Sequence, residues 1–114
     1  MHEFSVAQNI IQRLKDALGE KMLNRIEKIH IDIGKLSGIS VESLEFSLQV
    51  LLEKKGERIL HINEIELEVR CSSCHRTYSP EDMIWICPYC KDMHAELIKG
   101  NEIKITDVEV RDED

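Results

Sequence analysis

The sequence of 114 residues is poor in aromatic side chains and in long apolar runs, and its 15 Lys and Arg residues are outnumbered by 22 Asp and Glu residues. Only 4% of the residues are aromatic and 42% are apolar, which is enough for one small core but not for two of normal depth. A module with so little core usually needs a metal ion or disulfide bonds. The fold is therefore expected to depend partly on such a crosslink.

The charge balance and the missing apolar runs exclude several classes of partner. The net charge is -7, and an acidic surface repels phosphate backbones, so no nucleic-acid partner is expected. No apolar run approaches the ~20 residues of a membrane span, so no membrane association is expected. The start, Met1-His2-Glu3-Phe4, lacks the basic and apolar regions of a signal peptide. We expect a cytoplasmic protein, in which paired cysteines more often hold metal than form disulfides.

Helical spacing of apolar residues predicts two helices, over 5–18 and from Val41 to Lys55. Ser5 with Gln8 fits a capping box at the start of the first helix, and Ser40 is the expected N-cap of the second. The second helix is expected to present its acidic residues on a solvated face, namely Glu42, Glu45 and Glu53.

Alternating apolar residues predict three strands, over 26–33, 59–69 and 102–110. In the first strand His30 falls on the polar side, which indicates a solvent-facing residue rather than a metal ligand. In the third strand the alternation changes phase, which predicts a bulge near Thr106-Asp107. The expected fold class is α+β, with two helices on a three-stranded sheet.

Every cysteine of the chain belongs to one pattern, C-x2-C-x12-C-x2-C, formed by Cys71, Cys74, Cys87 and Cys90. Two Cys-x-x-Cys turns brought together present four thiolates, and Zn²⁺ prefers four ligands in a tetrahedron. The pattern predicts a structural zinc in an inserted zinc-ribbon-like module. The expected domains are a zinc-binding domain at 70–100 and an α+β domain at 1–69 plus 101–114.

The cysteines also admit other interpretations. Two disulfides would suit a secreted protein, which nothing else indicates, and a redox pair normally opens a helix in a βαβ unit. A rubredoxin-like iron site uses the same ligands, so that alternative stays open. His75 and His94 lie just outside the cysteine turns, either as loop residues or as exchangeable or supporting groups of the metal site.

The N-terminus offers three nitrogen ligands within two residues: the Met1 amine, the His2 amide and the His2 ring. Planar sites rich in nitrogen suit Ni(II) or Cu(II) rather than Zn(II). Taken alone this is a weak signal, because a terminus that begins Met-His is common by chance.

Further short motifs run from one end of the chain to the other. They are Met1-His2-Glu3 with Ser5, Ile33-Gly34 with Leu36-Ser37, Ser43-Leu44 with Phe46, Cys71-Ser72-Ser73-Cys74, Cys87-Pro88-Tyr89-Cys90, and Gly100, Glu102, Ile105 and Glu109. With these motifs the chain resembles the HypA/HybF family of hydrogenase-maturation nickel metallochaperones.

The resemblance implies a nickel domain in which His2 is the required ligand, with the Met1 amine and Glu3 as further candidates. It implies transient Ni(II), structural Zn(II), and delivery of nickel to the precursor of the [NiFe]-hydrogenase large subunit with a nickel-handling GTPase. Urease maturation proteins and a second copy of the chain are additional candidate partners. Many members seem to carry an acidic residue where this chain has Ser40, so the fourth nickel ligand stays open among Glu3, Glu42, a histidine and water.

Two other functions were compared with the metallochaperone. A zinc-ribbon adaptor that binds proteins without transferring nickel is the alternative. A hydrolytic metalloenzyme is disfavoured, because the sequence has no His-Glu-x-x-His and no Gly-x-Ser-x-Gly. The chain is therefore expected not to be an enzyme.

Overall fold

A computed structural model describes residues 2–112 of the chain. These residues form two compact units, one made of residues 2–32, 38–63 and 104–112 and the other of residues 33–37 and 64–103. The second unit contains the expected 70–100 insert together with short segments on either side of it. Within the described residues, no helix is both long and apolar enough to cross a membrane.

Helix α1 spans Glu3–Leu18 and begins two residues before the predicted start. His2 is its N-cap, and the His2 carbonyl accepts the first helical hydrogen bond from the Val6 amide at 3.0 Å. Ser5 therefore lies inside the helix, and the predicted capping box is wrong. The predicted stop is confirmed, because the backbone leaves the helix at Gly19 with a φ of 92°.

Helix α2 spans Val41–Leu51 and packs against α1. Its predicted N-cap is confirmed, since the Ser40 hydroxyl accepts a hydrogen bond from the Ser43 amide at 3.2 Å. The predicted end at Lys55 is wrong. The backbone turns into the left-handed region at Glu53, with a φ of 55°, and this ends the helix four residues early.

The carboxylate of Glu45 does not lie on a solvated face as predicted. Its Oε1 accepts hydrogen bonds from the backbone amides of Ile59 at 3.0 Å and Leu60 at 3.1 Å. These two amides stand at the start of a strand, so the charged acceptor satisfies donors that would otherwise be buried without partners.

Within residues 2–112, six strands make up two sheets of three strands each. The strands are β1 (Ile26–Gly34), β2 (Leu60–Ile65), β3 (Glu68–Cys71), β4 (Thr77–Tyr78), β5 (Ala95–Lys99) and β6 (Ile103–Val110). The first sheet has the order β2-β1-β6, which confirms the predicted three-stranded sheet. Its central strand β1 carries the fully buried side chains of Ile26, Ile29 and Ile31.

The predicted strand over 59–69 is two strands rather than one. It breaks after Ile65, and the chain resumes as β3, which pairs antiparallel with both β4 and β5 in the second sheet. Leu67 and Val69 stay buried across the break, which is why the alternation in the sequence continued without interruption. Alternation records burial on one side and does not record a change of partner strand.

Strand β6 changes phase between its two ends, in agreement with the bulge predicted near Thr106-Asp107. Thr106 donates its hydroxyl to the His30 carbonyl at 3.2 Å, and Glu109 reaches the His30 side chain. The half-buried residues of the strand are Ile105, Val108 and Val110. Ile105 and Val108 are separated by three positions, whereas residues on one face of a regular strand are separated by two or four.

Gly34 and Gly100 bring two backbone segments of the second unit into direct contact. A Cβ atom at Gly34 would lie 2.1 Å from the carbonyl carbon and oxygen of Gly100. The Leu36 amide also donates to the Gly100 carbonyl at 2.6 Å. Because the obstacle is backbone, no side-chain rotation can relieve it.

We therefore expect Gly34→Ala to lower the free energy of unfolding by at least about 3 kcal/mol, the upper end for overpacking. Gly56→Ala is the control. It adds a methyl group in open space at a φ of 83°, where only left-handed strain of about 1–2 kcal/mol applies. Urea denaturation of the zinc-loaded proteins measures both changes, and equal losses would contradict the steric account.

Candidate metal centre

The four cysteines converge in the second unit as free thiols. Cys71 Sγ lies 3.5 Å from Cys90 Sγ, Cys74 Sγ lies 3.6 Å from Cys87 Sγ, and all four sulfurs lie within 4.8 Å of one another. Tetrahedral zinc with Zn–S bonds of about 2.3 Å places its sulfurs about 3.8 Å apart. Among residues 2–112, no other group of three or more such donor residues is this compact.

Both Cys-x-x-Cys turns have the same backbone pattern. The Cys71 carbonyl accepts a hydrogen bond from the His75 amide at 3.0 Å, and the Cys87 carbonyl accepts one from the Lys91 amide at 2.9 Å. His75 and Lys91 take left-handed conformations, with φ of 65° and 68°. Each turn thereby bends back on itself and presents both of its sulfurs on one side.

Asp92 connects the two turns, and its importance was not anticipated from the sequence. Its carboxylate accepts a hydrogen bond from the Ser73 hydroxyl of the first turn, and its Oδ1 lies 2.9 Å from His94 Nδ1. The Ser73 and His94 contacts hold the pKa of Asp92 well below its ordinary value. The Arg76 guanidinium also lies 4.7 Å from the centre of the Tyr89 ring, a second contact between the turns.

The thiols of this cluster have divergent acidities. Burial raises the pKa of Cys87, but the backbone amides of Cys90 and Tyr89 outweigh burial and lower that pKa to about 6. At Cys90 the Asp92 amide favours the thiolate, but the Cys71 thiol and burial outweigh that amide and raise the pKa to about 12. One thiolate thus forms readily, whereas four adjacent thiolates need a cation among them, and this donor set fits Zn²⁺.

Neither histidine beside the turns belongs to the four-sulfur cluster. His75 is exposed and contributes its backbone to the first turn, while the His94 side chain is 84% exposed and contacts Asp92. These positions favour the interpretation of His75 as a loop residue, and they place His94 beside the carboxylate that joins the turns.

The N-terminal residues proposed for nickel lie in the other unit. Met1 lies outside the described residues, and His2 is exposed at the N-cap of α1. Glu3 Oε2 accepts a hydrogen bond from the Ser40 amide at 3.0 Å, and this contact lowers the pKa of Glu3. Ser40, the position at which the chain departs from the resemblance, therefore lies directly beside the N-terminal segment.

A helix-and-sheet unit and a zinc-ribbon-like unit with four convergent cysteines define a small α+β metal-binding protein. A family model described as HypA, hydrogenase/urease nickel incorporation metallochaperone, matches residues 1–110. The hydrogenase maturation factor HypA of Parabacteroides distasonis is 27% identical over 99% of this chain and 100% of its own length. That of Lawsonia intracellularis is 31% identical over 96% of this chain and 99% of its own length.

The fold of this chain is similar to that of two solved HypA structures. The nickel metallochaperone HypA from Helicobacter pylori has a TM-score of 0.65 at 22% identity, covering 99% of this chain and 100% of that one. A second HypA solution structure has a TM-score of 0.67 at 22% identity, covering 97% of each chain. The chain belongs to the HypA family of nickel metallochaperones for hydrogenase maturation, as its motifs predicted.

We expect purified protein to carry one tightly bound zinc, and Cys71→Ser, Cys74→Ser, Cys87→Ser and Cys90→Ser each to release it and unfold the 70–100 insert. Losing one ligand leaves the remaining thiolates without a complete tetrahedron, and such sites fold with their metal. Ser72→Ala, between two cysteines, is the matched control and should keep full zinc. Metal analysis decides the point, and full zinc in any cysteine variant would refute the four-cysteine site.

The left-handed residue of each turn provides a second prediction. His75→Gly and Lys91→Gly should both keep full zinc and raise stability by roughly 1 kcal/mol, since glycine adopts this conformation without strain. Thermal denaturation and zinc competition with a chelator measure the two effects. If His75→Gly weakens zinc binding while Lys91→Gly does not, the His75 ring acts on the metal and the backbone interpretation fails.

Proposed function

We propose that this chain binds Ni(II) through His2 and delivers it during [NiFe]-hydrogenase maturation, while Cys71, Cys74, Cys87 and Cys90 hold a structural zinc. The proposal of nickel binding rests on the position of His2 at the exposed N-cap of α1. Membership of the HypA family supports the function as a whole.

The N-cap position suits a metal ligand because it leaves the backbone nitrogen available. The first N–H groups of a helix have no intrahelical acceptor, so replacing the His2 amide proton by a metal ion breaks no helical hydrogen bond. The His2 carbonyl continues to accept from the Val6 amide. The His2 amide and ring, with the Met1 amine, supply three nitrogens of the kind that Ni(II) favours.

Glu3 is one of the candidates for the remaining ligand. Its Oε2 is engaged by the Ser40 amide, and its Oε1 takes no part in that bond. The Ser40 amide lowers the pKa of Glu3, so this carboxylate is charged at neutral pH. Glu42, a histidine and water are the other candidates.

The zinc has a structural role in this proposal. Four cysteine ligands complete the coordination of zinc, whereas a catalytic zinc keeps one position open, so the chain is proposed not to be an enzyme. The proposed domains are 70–100 for zinc and 1–69 plus 101–114 for nickel. The compact units support a two-domain division, although they assign residues 33–37, 64–69 and 101–103 to the zinc side.

The proposed partners are the precursor of the hydrogenase large subunit and a nickel-handling GTPase in the cytoplasm. Urease maturation proteins and a second copy of the chain are further proposed partners. Large apolar side chains of the zinc-containing unit are exposed, as a protein-binding surface requires: Met83, Ile84, Ile86, Tyr89 and Met93. The same exposure favours the alternative function, an adaptor that binds proteins without carrying nickel.

The nickel site has a specific dependence on the free terminus. His2→Ala should remove the N-terminal Ni(II) site while zinc content and fold stay unchanged. An added N-terminal residue or an acetyl group should also weaken the site with His2 intact, because the amine is displaced or neutralised. Glu27→Gln is the control for a lost charge elsewhere in the same unit and should bind normally.

Visible absorption of planar Ni(II) and calorimetry measure this binding. Affinity should fall as the pH is lowered, because protons compete with Ni(II) for the amine and imidazole nitrogens. If acetylated protein binds Ni(II) as tightly as the free form, the Met1 amine is not a ligand. Normal binding by His2→Ala would remove the chemical basis of nickel delivery and leave the adaptor as the better account.

A further inference from the structure

The open face of the β2-β1-β6 sheet carries a cluster of two histidines and a carboxylate. His30 on β1 and His61 on β2 stack with their ring centres 5.0 Å apart. Glu109 on β6 places its Oε2 2.6 Å from His30 Nε2. The three residues come from three different strands of one sheet, so their backbones are held in fixed positions.

The cluster borders a hollow of about 290 Å³ on the same face. Further polar groups line it, because Asp32 follows His30 on β1, and its Oδ1 accepts a hydrogen bond from the Asn63 amide group at 3.0 Å. His30 and His61 are both half-buried, so solvent reaches part of each side chain. A small ion can therefore enter without any movement of the strands.

The donor set favours a transition metal over other ligands. Two imidazoles and one carboxylate suit Zn(II), Ni(II) and Cu(II), whereas Mg²⁺ and Ca²⁺ prefer oxygen ligands alone. The pKa of Glu109 is lowered, first by its contact with His30 and further by the charge of Lys28, so this carboxylate stays ionised. The positive charge of Lys28 repels a bound cation, and the negative charge of Asp32 partly offsets this repulsion.

The cluster has little value for stability alone. An exposed contact such as that of His30 with Glu109 contributes little to folding stability, because solvent screens it. A cation bound at the edges of the two rings would use the in-plane lone pairs of the imidazoles, together with the Glu109 carboxylate that already contacts His30.

We propose that His30, His61 and Glu109 form a second, exposed site for a divalent transition-metal ion, separate from the cysteine cluster and the N-terminus. Among residues 2–112, only the four cysteines form a group of donor atoms that could hold an ion as they stand, so the proposed site requires a change of side-chain rotamer. The change we propose is a rotation of the His61 ring about its broad terminal torsion, which leaves the backbone in place. The site does not depend on nickel binding at His2.

This site is tested on zinc-loaded full-length protein carrying His2→Ala, titrated with Ni²⁺ alone. The chain has five histidines, so four remain in that background: the pair on the sheet and His75 and His94 beside the cysteines. Histidine ring signals in NMR spectra then report which pair is broadened by the paramagnetic ion, and calorimetry gives the affinity.

We expect selective broadening of the His30 and His61 signals and binding of one ion. His30→Gln and His61→Gln should each weaken binding at least about tenfold, the effect that losing even a supporting partner has at metal sites. Glu109→Gln should weaken it several-fold, while Glu27→Gln, a charge-matched control on the same strand as His30, should change it less than twofold.

Broadening confined to His75 and His94, or unchanged affinity in both His30→Gln and His61→Gln, would overturn the proposal. All four substitutions lie at partly or fully exposed positions, and unchanged backbone NMR spectra confirm that each variant remains folded. Because His2 is absent from the test protein, a negative result leaves the N-terminal nickel site untouched. A positive result likewise does not depend on that site.

Discussion

Four sulfur atoms within 4.8 Å of one another constrain the whole second unit. As thiolates the four sulfurs repel one another. As thiols they add little to the apolar core, because only Cys71 and Cys87 of the four cysteines are buried. A doubly charged cation changes the sign of this interaction and converts mutual repulsion into four ligand bonds. The short strands β3, β4 and β5 then need supply only the scaffold on which the two turns face each other.

The backbone of the turns is arranged around that requirement. Both turns place a left-handed residue directly after their second cysteine, at His75 and Lys91, although neither is glycine. A conformation that L residues adopt only at a cost of about 1–2 kcal/mol persists when the surrounding contacts outweigh it. Metal ligation and the contacts of Asp92 across the turns are such interactions.

Local patterns predicted much of this molecule because the forces behind them act over short stretches of chain. Cysteine spacing predicted the sulfur cluster, and apolar periodicity predicted both helices and the three-stranded sheet. The errors arose where a distant group changed a local preference. Glu45 binds amides 14 and 15 positions away, and the strand expected over 59–69 changes sheets at a point that its alternation does not reveal.

The same limit applies to the candidate sites. Glu3 and Ser40 are 37 positions apart, and His30 and Glu109 are 79 apart, so no spacing rule joins them. The alternation of the sequence predicted that His30 lies on the polar side of β1. From that position alone, His30 was not expected to be a metal ligand. Its two neighbours in the cluster come from β2 and β6, which only the sheet order β2-β1-β6 brings beside it.

The N-terminal site, as proposed, combines attraction and repulsion for a metal ion. Contact between Glu3 and Ser40 brings the start of α1 beside the start of α2, and the N-terminus of a helix carries a partial positive charge. Two such ends oppose a cation, while the Glu3 carboxylate and a deprotonated His2 amide attract it. Protonation of that amide removes an attractive charge and leaves the repulsion of both helices in place. Nickel bound there would therefore be released by a change in few ligands, as transfer to a partner requires.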